Sequence, residues 1–428
     1  MEKSKVKDFL KKYHMEESDI DSEETLTRFN SEIAKGLEKT GTILECSIPM
    51  IATYLNPKIK ERNNEKFIVI DAGGTNLRVG LASYVNNNWV ISDVIEDAMP
   101  GIKREYSKEE FFDYIAKRTV PFLDKAKDIG FCFSYRVAMD KTLDGRLIAW
   151  AKEIKAKEVV GKKIGASLLD AIKKYSDVER KIVVLNDTAA VLLGGMTLDT
   201  TKRCEKYIGA IYGTGFNCCY IEEIKNIKKI KDLDDGLMII NTETGNFNGF
   251  NRGVFDDELT NESLYKDEAL TEKMSSGRYL STLIYKALAK AIEDNLVSKE
   301  TKMIDEADFS LPLVSMYLAG LNNDIDKWFI NDNDISFFKE MALSLIKRAS
   351  KIVATTISAF AIKSNSKKVG IILEGSTFYK LPTFKESFLV YLSEILEKRG
   401  IEYQLFDGRD RILIGAAMAA MSIDNEWK

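Results

Sequence analysis

Two stretches of this chain repeat one uncommon pattern. "FIVIDAGGTNLRVGL" runs an apolar strand into Asp71, turns through Gly73, Gly74, Thr75 and Asn76, and leaves along a second apolar run after Arg78. "KYIGAIYGTGFNCCYIEE" does the same around Gly213, Thr214, Gly215, Phe216 and Asn217. A strand–glycine turn–strand unit that recurs within 428 residues, each time followed by helices, points to two α/β domains of related topology with a cleft between them.

The pattern along the chain gives the boundaries. Residues 1–65 form an N-terminal helical segment, with Leu26, Phe29, Ile33 and Leu37 at helical spacing, packing on the larger domain. Residues 66–188 form a small α/β domain: "NNNWVISDVIE" as a third strand, "KEEFFDYIAKRTVPFLDKA" as an amphipathic helix, "IGFCFSYRV" as a strand, "GKKIGASLLDAIKKYS" as a helix and "KIVVLND" as a buried strand. Residues 189–410 form a large α/β domain, with long helices over "EKMSSGRYLSTLIYKALAKAI" and "FKEMALSLIKRASKIVATTISAFAIKS" and a late strand, "KKVGIILEGST". The apolar helix within 411–428 returns to the small domain.

Charge and residue usage remove several kinds of function. Lys and Arg number 62 against 66 Asp and Glu, for a net charge of −4, which disfavours a broad nucleic-acid footprint. No uncharged apolar run reaches the ~18–20 residues of a membrane span, so no membrane partner is expected. The start, "MEKSKVKDFLKKYHMEE", lacks a signal-peptide core, which suggests a cytoplasmic protein. Five cysteines without a C-x-x-C pair read as buried thiols. His14 is the only histidine. A His–Asp catalytic pair is therefore disfavoured and a multi-His metal site is ruled out, so acid–base chemistry falls to a carboxylate, lysine or tyrosine.

A Gly/Asn-rich tip serves turn geometry alone or a phosphate cradle. Two such tips, one per domain, with Thr75, Asn76 and Arg78 at the first, suit a polyphosphate held across a cleft. Neither is a P-loop or a dinucleotide fingerprint. Asp71 either starts the turn or orients Mg²⁺, through water, beside phosphates. Asn186 and Asp187 end an apolar strand, where ligands of open α/β sheets gather. Either residue caps the following helix, or Asp187 accepts the proton of an alcohol during phosphoryl transfer.

These segments, in this order, resemble the hexokinases of the eukaryote-like branch, and the likeness spans nearly the whole chain. "SIPMIATYL" is similar to the segment before the first strand, "DAGGTNLRV" to the first phosphate loop, and "GFCFSYR" and "LIAWAKEIKA" to sugar-binding loops. "VVLNDT" is similar to the catalytic Asn-Asp segment and "GAIYGTGFNCCYIEE" to the second phosphate loop. "INTETGNF" and "LTEKMSSGRYL" are similar to the segments whose glutamates hold sugar hydroxyls, and "EGSTFYKLPTF" to the adenosine loop. The resemblance implies the two-domain ribonuclease H-like fold of the actin-like ATPases. It implies ATP and Mg²⁺, and transfer of phosphate to the 6-hydroxyl of a hexose such as glucose, with Asp187 as base. Ser134, Lys152, Asn186, Asn217, Glu243 and Glu272 would hold the sugar, and Lys152 would also steady the transferred phosphoryl group. Asp71, Gly73, Gly74, Thr75, Asn76, Arg78, Gly213, Thr214 and Gly215 would surround the phosphates, with Gly375 and Ser376 near the adenosine and Gly415 completing the nucleotide contacts.

The chain departs from the family pattern at Ser134-Tyr135-Arg136, where Ser-Phe-Pro is usual, at Trp150-Ala151-Lys152, where Trp-Thr-Lys is usual, and in the longer segment "DGRDRILIGAA". These departures touch sugar choice more than catalysis. Two other readings are a sugar-binding sensor of the same fold with weak catalysis and an ATPase of the actin or chaperone kind. Oligomeric state is not written in the sequence.

Overall fold

The computed structural model describes all residues except 1, 41–44, 61, 151–153, 232, 234 and 424–428. Lys152 therefore lies outside the described residues. The chain opens with α1 (Glu2–Lys12) and α2 (Ser22–Glu38). Asp21 caps α2 by accepting the Glu24 amide at 3.0 Å, and Leu26, Phe29, Ile33 and Leu37 are buried. Phe29 stacks on Phe247, so this segment contributes to the core of the second lobe described below.

The first lobe is a five-stranded sheet ordered β4-β3-β2-β5-β8. A two-residue strand, β1 (Ile51–Ala52), precedes it and pairs elsewhere. The sheet strands are β2 (Lys66–Gly73), β3 (Asn76–Val85), β4 (Asn88–Ala98), β5 (Ile129–Phe133) and, later, β8 (Ile182–Leu185). β2, β5 and β8 run parallel and are almost wholly buried, as expected of strands covered on both faces. The helices are α3 (Lys108–Thr119), which gives way at Pro121 to a 3-10 turn, and α4 (Ile164–Ile172). A separate hairpin, β6 (Arg136–Met139) and β7 (Gly145–Ala149), interrupts what reads in sequence as one strand.

The second lobe repeats that plan. After α5 (Asp187–Met196) come β9 (Lys206–Tyr212), β10 (Phe216–Glu223) and β11 (Leu237–Asn241). A helical block follows: α6 (Val254–Glu262), α7 (Leu270–Ser275), α8 (Gly277–Glu293), α9 (Leu311–Leu318) and α10 (Asp332–Lys363). The chain ends with β12 (Lys368–Glu374), α11 (Ser376–Lys380), α12 (Phe384–Glu397), β13 (Glu402–Asp407) and α13 (Ile412–Met421). The six-stranded sheet is ordered β1-β11-β10-β9-β12-β13, with β9, β12 and β13 parallel. Each sheet thus holds an antiparallel three-strand meander extended by two parallel strands, and the short β1 adds an edge to the second.

The helices that follow the two repeats change places. α5, which follows β8, packs on β9, β10 and β12, while α13, which follows β13, packs on β2, β5 and β8. The two helices also pack on each other. Their crossing is built from Gly194, Ala190 and Gly415: a Cβ on Gly194 would overlap the Arg411 carbonyl, and one on Gly415 would overlap that of Ala190. Gly415, expected among the nucleotide contacts, is a helix-packing residue whose missing side chain lets two backbones meet.

The segment read as one long helix, "EKMSSGRYLSTLIYKALAKAI", is broken between α7 and α8. Ser276 is extended (φ −72°, ψ 161°), and the next amides turn to the second glycine tip: Gly277 donates to the Gly213 carbonyl at 2.9 Å and Arg278 to that of Thr214 at 3.1 Å. Helix bonding is given up there to fasten the tip. Among the described residues, no helix is long and apolar enough to cross a membrane.

Candidate active site

The first tip is a tight turn between β2 and β3. Gly73 pairs with Asn76 in the ladder, and the Tyr135 hydroxyl donates to the Gly74 carbonyl at 3.0 Å. Gly73 leaves open a space bounded by Ser134 Oγ and Asp71 Oδ1. A cavity of about 340 Å³ lies there, lined by Asp71, Gly73, Gly74, Asn76, Arg78 and Ser134 from the first lobe and by Asp187 at the start of α5. Thr75 sits exposed at the apex, its hydroxyl 3.5 Å from Asn76 Oδ1.

Asp71 is only 6% exposed. Arg78 grips its Oδ2 twice, from Nη2 at 2.6 Å and Nε at 3.1 Å. Burial works against the guanidinium charge, but Asp71 outweighs it and raises the Arg78 pKa. Asp71 Oδ1 is buried without a hydrogen-bond partner. An orphaned carboxylate oxygen on a polar cavity fits a hydrated divalent cation shared with phosphates. Among the described residues, no cluster of three or more acidic, Cys or His side chains forms a protein cage for a metal, and Mg²⁺ at phosphate sites needs none.

Asp187 opens α5 at the end of β8. Asn186 is the helix cap: its Oδ1 accepts the Thr188 amide at 3.0 Å and the Thr188 hydroxyl at 2.6 Å. Capping by Asn186 fixes the first turn and so the place of Asp187 beside the cavity.

Two acidic residues at this cavity escaped the sequence reading, Glu96 and Glu374. Glu96 faces Arg78 across the β3–β4 ladder. Glu374 ends β12 level with Ile211 of β9. Burial first, then the charges of Asp187 and Asp71, push its pKa up to about 7, with Arg78 opposing. The signal was present: "KVGIILE" is an apolar strand ending in a carboxylate, as "KIVVLND" is.

The other proposed sugar ligands form a chain on the second lobe. Asn217 lies opposite Ile211, which also lines the cavity. Its Nδ2 donates to Asn241 Oδ1 at 2.8 Å, and Asn241 Nδ2 donates to Glu243 Oε1 at 2.8 Å. Glu243 holds a left-handed backbone (φ 54°), a strained state for a residue with a side chain. Burial raises its pKa, with the Asn241 hydrogen bond and the Arg136 charge pulling the other way. Glu272 Oε2 accepts the Phe216 amide at 3.0 Å, just beyond the second tip. Asn241 escaped the sequence reading.

That second tip lines a different cavity, of about 650 Å³ and largely apolar, with Thr214, Ser376 and Thr377 at its polar end and Leu311, Pro312, Met316 and Leu381 among its walls. Gly375 has φ +122°, and a Cβ there would overlap the Tyr212 carbonyl. Only glycine allows α11 to start against Gly213.

Two family models, each described as hexokinase, match residues 5–197 and 207–422. Hexokinase-2 of Homo sapiens is 34% identical over 313 residues, 68% of this chain and 33% of that protein. Hexokinase-2 of Candida albicans is 27% identical over 404 residues, 86% of this chain and 81% of that one. The match to the human relative thus spans about a third of its length. Among solved structures, a hexokinase from Schistosoma mansoni complexed with glucose superposes with a TM-score of 0.81 at 24% identity, over 98% of this chain and 99% of that one. The fold is the two-lobed α/β architecture of those enzymes.

Proposed function

The chain belongs to the hexokinase family, and from that premise we propose that it transfers the γ-phosphoryl group of ATP to the 6-hydroxyl of a hexose, glucose first among them, giving hexose 6-phosphate and ADP. The observation that carries the reading is the meeting of Asp71, Ser134 and Asp187 at one polar cavity beside the first glycine tip.

Asp187 orients the attacking hydroxyl and takes its proton as the new phosphorus–oxygen bond forms. Ser134, Asn186, Asn217, Glu243 and Glu272 bind the remaining hydroxyls, and a sugar lacking one would leave a polar partner unpaired. Lys152 acts on the transferred phosphoryl group. The tips around Gly73–Asn76 and Gly213–Gly215 offer backbone N–H groups to the phosphates, and the larger, apolar cavity takes the adenosine beside Gly375 and Ser376. Mg²⁺ would be held by Asp71 through water and would neutralise phosphate charge. The lobes close on the sugar and exclude the water that would otherwise compete for the phosphoryl group.

A coupled assay for ADP release over glucose, fructose, mannose, galactose and glucosamine tests this. Release that depends on a hexose is expected. Release independent of sugar would make the protein an ATPase, and none at all, with sugar still bound, a sensor.

A further inference from the structure

Arg136 opens β6, two residues after Ser134, on the hairpin that stands apart from both large sheets. Its guanidinium reaches across the cleft. Nη1 lies 3.8 Å from Glu268 Oε2, and Glu268 belongs to the loop between α6 and α7 of the second lobe.

That loop is braced on both sides. Lys273, buried in α7, donates from Nζ to the Tyr265 carbonyl at 2.5 Å. The Ala269 amide donates to Asn246 Oδ1 at 2.9 Å. Asn246 in turn donates its backbone N–H to the Glu243 carbonyl at 3.1 Å and its Nδ2 to the same oxygen at 3.2 Å. Glu268 thus stands on a short link between the turn carrying Glu243 and the helix carrying Glu272. Arg136 also bears on Glu243 directly, since its charge favours the ionised carboxylate that burial disfavours.

We propose that Arg136 is a positioning residue: by pairing with Glu268 across the cleft it ties closure of the lobes to the alignment of the Glu243 turn and the Glu272 helix toward a hexose. The proposal rests on reading the cleft as a hexose site. A half-exposed ion pair adds little to stability. This one joins the two lobes, so its free energy counts toward whichever state holds them together, and only such a difference shifts a population.

The test uses the full chain. Arg136→Ala and Glu268→Ala are each expected to raise the hexose KM by about two- to five-fold, the reach of one exposed pair, with kcat within about two-fold. The double variant should be no worse than either single one. Arg136→Lys should recover most of the loss, and the effect should shrink in high salt. Amide exchange adds a readout that needs no turnover: in sugar-free protein, residues 265–269 should exchange faster in Arg136→Ala than in the parent. A parent inert toward every hexose overturns the kinase reading, and the exchange comparison still decides whether the pair orders the loop. Additive losses in the double variant, or unchanged KM and unchanged exchange in Arg136→Ala, overturn the proposal.

Discussion

Arg78 spends both of its hydrogen bonds to Asp71 on a single oxygen, Oδ2, and leaves Oδ1 buried without a partner. The guanidinium fixes the carboxylate's orientation and steadies its charge, while the second oxygen borders the space left open at Gly73. Arg78→Ala removes that orientation and is expected to lower kcat by about ten-fold or more, the scale of losing one preorganised charge or donor. Arg78→Lys keeps the charge but not the double contact and should fall between the two. Steady-state kinetics at several Mg²⁺ concentrations would check this. Parent-like kcat in Arg78→Ala would mean that Asp71 needs no such support.

Asp187→Ala is expected to reduce kcat by roughly 10² or more, the usual cost of losing a general base, while the sugar still quenches or enhances protein fluorescence on binding. Thr214→Val, which keeps size and loses the hydroxyl, should act on the ATP side instead, raising the KM for ATP. Turnover near the parent's in Asp187→Ala would reject the base assignment.

Glu374 sets a pH dependence that can be read without substrate. Its folded value of about 7 lies above the ordinary 4.5. Between those values the folded protein holds a proton that the unfolded chain has released, so the stability linked to this group is complete below the lower value and is lost as pH rises through the upper one. Glu374→Gln cannot ionise. The parent is therefore expected to lose more stability than Glu374→Gln between about pH 5 and about pH 8, measured by denaturant melts with chelator present. Parallel stability curves for the two proteins would show that Glu374 ionises normally.

Gly415→Val pushes a branched side chain into the Ala190 carbonyl. A loss of about 1–3 kcal/mol is expected, as for overpacking in general, read as a lower Tm in the absence of ligand. An unchanged Tm would mean that α13 shifts without cost.

The fold was legible where pattern is repeated. The two glycine tips, the apolar strands around them and the Asn-Asp strand end are local signals, and each lies where its period and turn residues put it. What escaped was set by contacts between distant segments. Nothing in "SSGRYL" announces that Gly277 and Arg278 leave the helix to bond Gly213 and Thr214. "IEYQLFD" is half polar and reads as no clear strand, yet β13 forms by lying parallel to β12. Nothing local in "DGRDRILIGAA" announces that Gly415 meets the Ala190 backbone of α5. Glu374 and Asn241 end strands as Asp187 nearly does, but a carboxylate or amide at a strand end is common, and the cavity that singles these out is made by strands far apart in sequence.

The exchange of α5 and α13 between the lobes has a mechanical result. Helices usually lock by setting ridges of side chains into grooves, and sliding one past the other then costs repacking. Where Gly194 and Gly415 bring bare backbone to bare backbone, there is little to interlock. Each helix is bedded in the opposite sheet, so a small roll at the crossing would swing the two sheets as arms, with a displacement growing with distance from it. The glycines would keep that roll inexpensive, and a side chain at either place would act as a wedge.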